Sequence, residues 1–458
     1  MKRLLSISVL LALTALTLVA CGGGSNSGFG GGGSNPSAVF VTGEDAPLPS
    51  VLSFNITINS IALNGTGSSP VQVLSAPTTV DFARFVGLRS LLGFNAVPAD
   101  TYSSAVITFA NSPVITYLNT ATTPPTAVPL TGTLTTTTVT VNFPPMVVTT
   151  NGLAGLHMDF DLRQSLATSA GQITGLVNPT IFIQAVSASD EEGQITDFTG
   201  GLVSVNSSKS SFVMQGPFGF QETVDVNSQT QFNPNWSLNA MAAPEFVSVE
   251  GTVQGDGSIL ANNVEVISTN AAFISGRILA VNPTSGPVQT LTLYIGKELP
   301  ALTGSYAVGS VVTLDVSAVT QYDICFFDNV FTNLVFSNSS MVTGQRIFIG
   351  GSWDSSTQVF TPSMISLRRQ GVVGDLTGSV NITSGNQGNF QLDNSNLLGY
   401  LLGGPLRVNT GNATLFIGVD GLTGLQSSGG TNLVARGLIF KDSSGNPELW
   451  AHRVRVLP

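Results

Sequence analysis

Val51-Leu52-Ser53-Phe54-Asn55-Ile56-Thr57-Ile58-Asn59-Ser60-Ile61-Ala62-Leu63 decides how this chain folds. Leu52, Phe54, Ile56 and Ile58 fall on one face, and Ser53, Asn55, Thr57 and Asn59 on the other. A period of two is the pattern of a half-buried strand. Asn64-Gly65 closes the run with turn chemistry. Thr101 to Phe109 reads the same way, and so does Thr138 to Phe143 with Val139, Val141 and Phe143 aligned. Helical spacing is nearly absent. The best stretch is Asp81 to Leu92, where Phe82, Phe85, Val86 and Leu92 predict one short helix. The chain is therefore expected to be all-β.

From about Ile195 a loose repeat begins. Each unit opens on a glycine-flanked strand: Gly201-Leu202-Val203, Gly276-Arg277-Ile278 and Gly378-Ser379-Val380. Each has a Thr-aromatic element (Thr230 to Phe232, Thr320 to Tyr322, Thr414 to Phe416). A strand around glycine follows, ending at Gly251, at Gly350-Gly351 and at Gly437. A last strand closes each unit: Ala261 to Ile267, Ser363 to Leu367 and Trp450 to Val456. Five or six short strands per unit suggest a small closed barrel, which removes sticky sheet edges. The expected organisation is a β-sandwich over 38–188 and three β-barrel-like repeats over 195–270, 272–370 and 374–458.

Composition limits the function classes. A chain of 458 residues predicts about three domains as a soft prior. Charged residues are only 9%, against roughly 25% in typical soluble domains. The net charge is −10 and no basic block follows the first residues. Nucleic-acid binding needs a basic footprint, so no nucleic-acid partner is expected.

Lys2 and Arg3, an apolar run from Leu4, and Leu18-Val19-Ala20 before Cys21 make an export signal over 1–20. The run is marginal for a transmembrane helix, which needs about 20 residues. A cysteine directly after the cut resembles the lipobox of bacterial lipoproteins. That resemblance implies acylation of Cys21 and a membrane-lipid partner, because two or more acyl chains hold firmly. Residues 21–37 are rich in glycine and serine, the composition of a flexible tether. Gly22 is not the aspartate that often marks inner-membrane retention in Gram-negative lipoproteins, so the resemblance points to the outer membrane.

Two family resemblances follow. Thr42-Gly43-Glu44-Asp45-Ala46-Pro47, Phe54 to Ile61, Val97-Pro98-Ala99-Asp100-Thr101-Tyr102 and Met158 to Leu162 with Ser165-Leu166 resemble the lipoprotein domain of unknown function 4382. Its usual Pro-Ala-Gly-Thr-Tyr has Asp100 in place of glycine, a departure that bears on that turn. The turn is also similar to one in prealbumin-like surface domains, which implies an Ig- or prealbumin-like sandwich by analogy. The three repeats resemble domain of unknown function 5666. Neither resemblance supplies catalytic residues.

The sharpest polar group is His157, Asp159, Asp161 and Arg163, which alternate along one strand with Leu156, Met158, Phe160 and Leu162 opposite. They read either as a metal or acid–base site or, more plainly, as a solvated face over a core face. His157, Asp159 and Asp161 are weak metal candidates, since zinc usually takes three or four ligands and the other histidine is His452. Trp236 and Trp353 lie in turn-like sequence and read as ligand-stacking rings or, more plainly, as core or rim packing of their domains. Asp190-Glu191-Glu192 reads as a solvated linker. Cys325 has no disulfide partner once Cys21 is lipidated and reads as a small buried hydrophobe. No Gly-x-Ser-x-Gly elbow or phosphate loop occurs, so no cofactor and no catalytic residue is assigned. The expectation is a lipid-anchored, non-enzymatic envelope protein presenting β domains to carbohydrate or other surface ligands. The alternative is a scaffold for an envelope protein partner, and a hydrolase ranks below both.

Overall fold

The computed structural model describes residues 37–456 except 47, 49, 75, 86–87, 120–121, 123–124, 170–171, 217–220, 244, 269–271, 326–330, 332, 395–400, 402–403 and 430–431. The export signal, Cys21 and nearly all of the tether lie outside the described residues. Residues 35–458 form one compact unit, and it is all-β in architecture. Among the described residues no helix is long and apolar enough to cross a membrane.

The main strands of the N-terminal part are β1 (Ala38–Ala46), β2 (Val51–Gly65), β3 (Ser90–Ala96), β4 (Asp100–Phe109), β5 (Val114–Asn119), β6 (Thr126–Thr131), β7 (Thr138–Val148), β8 (Leu153–Asp161) and β9 (Ile181–Val186). One sheet runs β9-β8-β1-β3, with β1 and β8 parallel. The other runs β7-β4-β2-β5-β6. Their facing sides share one core: Val39 and Val41 from β1, Leu156, Met158 and Phe160 from β8, and Phe54, Ile56 and Ile58 from β2. Phe160 stacks 5.1 Å from both Phe54 and Phe82. This is a β-sandwich, in which each strand buries alternate residues between the sheets.

Two details depart from the strand read in the sequence. The register of β2 slips between Val51 and Ser53. The slip turns Leu52 out of the sandwich, where it packs with Leu118, Leu279 and Tyr294. The helix expected within Asp81 to Leu92 is a single 3₁₀ turn, Phe82–Arg84, and β3 begins at Ser90. Phe82 and Phe85 both sink into the sandwich core, and one turn is enough to aim both inward.

Three six-stranded sheets follow. The first holds β10 (Ile195–Asn206), β11 (Ser211–Gln215), β12 (Gln221–Asp225), β13 (Phe246–Val253) and β14 (Ile259–Ser268). The second holds β15 (Ala272–Asn282), β16 (Thr290–Leu299), β17 (Val311–Asp315), β18 (Arg346–Asp354) and β19 (Val359–Arg368). The third holds β20 (Gln370–Ser384), β21 (Gln387–Asn394), β22 (Leu406–Thr410), β23 (Leu433–Lys441) and β24 (Pro447–Val456). The order is the same each time: third, second, first, fourth, fifth strand, with a short extra strand pairing parallel to the fifth. In the first and third sheets the third and fifth strands also pair in parallel, which closes the ring. That connectivity is a five-stranded Greek-key barrel of the OB type. In the third barrel, helix Gly421–Ser428 lies between the third and fourth strands and buries Leu422 and Leu425 in the barrel core. Its two glycines make it a poor helix by propensity, so the buried leucines hold it.

The barrels do not hang as separate beads. Phe246 and Ile267 of the first pack on Phe273 and Phe348 of the second. Leu438 and Phe440 of the third join the core of the second. Phe40, Leu91 and Val186, from the outer side of the sandwich, join the core of the first.

Candidate functional site

The outer face of the β9-β8-β1-β3 sheet positions the site. In β8 the residues opposite the buried Leu156, Met158 and Phe160 are His157, Asp159 and Asp161. Pairing sets Thr42 beside His157 and Glu44 beside Asp159 from β1. From β9 it sets Gln184 beside His157 and Phe182 beside Asp159. Three strands thus present a two-row grid of polar groups and one aromatic ring. The grid floors a cleft of about 500 Å³. Its other walls are Glu192 and, from the third barrel, Val373, Asn432, Val434 and Arg455.

The face is not simply solvated. His157 is only 8% exposed and Asp161 only 3%. The Thr42 hydroxyl donates to the Glu192 carbonyl at 3.1 Å, so its oxygen accepts from Nδ1 of His157 at 3.2 Å. Nε2 of the same ring meets Glu44 Oε2 at 3.1 Å. Burial pushes the Glu44 carboxyl up. The His157 hydrogen bond and charge, then the charges of Arg89 and Arg453, outweigh it and hold the group at about 2. Asp161 is committed elsewhere: it accepts the Gln164 backbone N–H at 2.9 Å and its side-chain amide at 2.7 Å. It thereby caps the one-turn helix Leu162–Ser165. That turn takes Arg163 out of the strand, so its alternation with Asp161 is broken, although Arg163 still lines the cleft. Among the described residues no group of three His, Cys, Asp or Glu side chains is arranged to hold a metal.

Glu192 is not a solvated linker residue. It pairs with Arg455 of β24 and so ties the connecting segment to the third barrel. Trp236 and Trp353 do not line the cleft. Trp236 is half-buried against the core of the first barrel. Trp353 packs on the core of the second, 5.5 Å from the Tyr306 ring. Cys325 is buried, and its thiol donates to Glu265 Oε2 at 3.2 Å.

Phe182 is the residue that sequence reading passed over. It is 52% exposed, whereas every other aromatic side chain among the described residues is buried or half-buried. Its strand, Ile181-Phe182-Ile183-Gln184-Ala185-Val186, buries Ile181 and Ile183. An apolar residue at the intervening position had to face outward, which was the available signal.

Taken together, these features define an all-β chain in which a sandwich and an OB-type barrel share a polar cleft with one exposed aromatic ring. Residues 39–177 match the family model described as "Domain of unknown function (DUF4382)". The match covers Glu44, His157, Asp159, Asp161 and Arg163, and it ends before Phe182, Glu192 and the barrels. No curated protein matches the chain. Among solved structures, the chain is similar to "drosophila Unr CSD456" at 9% identity, over 57% of this chain and 98% of that one, with a TM-score of 0.14. A likeness that slight bears on neither fold nor function.

Proposed function

We propose that this is a lipid-anchored, non-enzymatic envelope protein that binds a glycan or another surface ligand in the cleft between its sandwich and third barrel. The observation that carries this reading is Phe182, an exposed ring set among polar groups in a formed cleft. Ligand sites combine an apolar contact with a few convergent polar groups in this way. The anchor rests on the lipobox-like Leu18-Val19-Ala20-Cys21 and the glycine-rich tether behind it. Acyl chains on Cys21 would hold the protein in the membrane, and the absence of aspartate at Gly22 favours the outer one. The barrels' resemblance to domain of unknown function 5666 belongs to the same proposal.

A binding role fits the cleft better than proton-transfer chemistry. A general acid or base works best with its pKa near the working pH. Glu44 is held far below that range, His157 has both ring nitrogens engaged, and Asp161 caps a helix. The carboxyls that burial pushes up, Asp81 to about 6, Glu222 to about 7, and Glu245, Glu298 and Asp323 above their ordinary values, are not part of the cleft lining.

Two measurements on the full-length protein from its own membranes test the reading. A clickable palmitate analogue should label the wild type and not Cys21→Ser. The solubilised protein should bind isolated envelope material, and Phe182→Ala should lose most of that binding. An unlabelled wild type would remove the anchor. Binding indifferent to Phe182 would remove the cleft and favour the scaffold reading.

A further inference from the structure

The charges of the cleft are largely spent on one another. Glu44 meets His157, Glu192 meets Arg455, and Asp161 caps its helix. The lining also holds Asp159 and Arg163, which are opposite in sign. A site for an anionic polymer would need a surplus of arginine or lysine facing the ligand. Here four carboxylates line the cleft against two guanidiniums. A site for a cation would leave its carboxylates unneutralised, whereas Glu44 and Glu192 are paired.

Phe182 and the two amides Gln184 and Asn432 remain to face a ligand. Gln184 stands two residues along β9 from Phe182, on the same face of the strand. Asn432 comes from the opposite wall, just before β23, and is held in the left-handed region at φ 58°. An amide both donates and accepts hydrogen bonds, as a hydroxyl does. A sugar ring has one face of C–H groups and a rim of hydroxyls. It is the polar ligand that matches an aromatic platform flanked by amides.

Resting on the binding reading above, we infer that the cleft takes an uncharged sugar residue of a polysaccharide, its C–H face on Phe182 and its hydroxyls between Gln184 and Asn432. Because the two amides come from the sandwich and the third barrel, the ligand bridges both. The paired charges frame the site and fix its shape.

Isothermal titration of the full-length solubilised protein separates this inference from the broader reading. The probes are neutral tetrasaccharides of several linkages, alginate and polygalacturonate oligomers, and short envelope-derived peptides. The expected result is binding of a neutral tetrasaccharide with an affinity that changes less than about twofold between low and high salt, since no ligand charge is screened. Phe182→Ala should weaken it at least about tenfold. Asn432→Gly keeps the left-handed backbone and removes only the amide; it should weaken binding about fivefold. Both variants alter exposed or rim positions, and an unchanged melting curve will show that they fold. Binding confined to acidic oligomers or peptides, yet lost in Phe182→Ala, overturns the uncharged-sugar inference and leaves the binding cleft standing. Neutral-sugar binding unaffected by both variants overturns the inference and the cleft together. No binding to any neutral probe, while envelope material still binds through Phe182, overturns the inference alone.

Discussion

Asp100 stands where the resembling family has glycine, and its side chain ties the turn to the Thr66–Ser68 segment. It accepts from Thr66 Oγ1 at 2.8 Å, from the Gly67 and Ser68 backbone at 3.0 and 2.9 Å, and from Ser68 Oγ at 2.7 Å. These bonds draw its carboxyl far below the usual range. A side chain on Gly65 would run into that carboxylate, so the two positions depend on each other. The same turn ends in Tyr102, whose hydroxyl donates to Pro98 O at 2.9 Å. At Glu44 the balance of burial against His157, Arg89 and Arg453 makes a pH prediction. Its folded value of about 2 lies below its ordinary 4.5. The stability it contributes is therefore fully present above pH 4.5 and is lost as pH falls through about 2. Urea unfolding should show Glu44→Gln less stable than wild type by about 2–3 kcal/mol at neutral pH, with the gap closing across that acid window. A gap independent of pH would mean that the charge of Glu44 contributes nothing. At this scale the sequence was half legible. Alternation put His157, Asp159 and Asp161 on one face correctly, but nothing in it showed that Glu44, Gln184 and Phe182 join them, because strand pairing is non-local.

Each barrel repeats one device in its fourth strand. The register against the fifth strand slips at Glu250/Gly251, at Gly350/Gly351 and at Arg436/Gly437. A side chain at Gly251, Gly351 or Gly437 would collide with the backbone carbonyl of Leu260, Thr361 or Trp450. A bulge bends the strand and raises its twist, which is how a short sheet curls into a barrel. Alanine at any of the three should destabilise the protein by about 2–4 kcal/mol in chemical denaturation. Gly201, with nothing within 4 Å of its missing Cβ, is the control. Alanine there should change stability by under about 1 kcal/mol. Equal effects at Gly201 and Gly251 would argue that composition, not the bulge, matters. These elements were legible because glycine and alternation are local signals. The helix Gly421–Ser428 was not, since only Leu422 and Leu425 mark it and its stability comes from the barrel core.

Across the whole molecule, the scarce charges are used inside. The sequence has 16 lysines and arginines, yet Arg89, Lys297, Arg368, Arg369, Arg436 and Arg453 are all buried. Glu250 of the first barrel meets Arg369 and, at 3.7 Å, Arg436 of the third. Glu265 of the first barrel meets Arg368 of the second, and Lys297 of the second donates to the Thr199 carbonyl of the first. Burial and the charges of Arg369, Arg436 and Arg453 keep His452 well below its ordinary value. Removing one partner of a buried pair leaves the other charge unsolvated, at a cost of about 3–5 kcal/mol. Arg368→Met, which takes the guanidinium away from buried Glu265, should therefore destabilise the whole unit by that order in a single transition, read by circular dichroism. A separate early transition of one barrel would show instead that the barrels unfold independently. The sequence by itself determined the strands, the sandwich core and the barrel repeats, because a period of two and glycine placement act between near neighbours. Only the tertiary structure decided that the polar face of β8 becomes a cleft, that Glu192 docks on Arg455 and that the arginines turn inward. Those outcomes depend on which distant surface covers which, and burial between distant segments has no local signature in a chain.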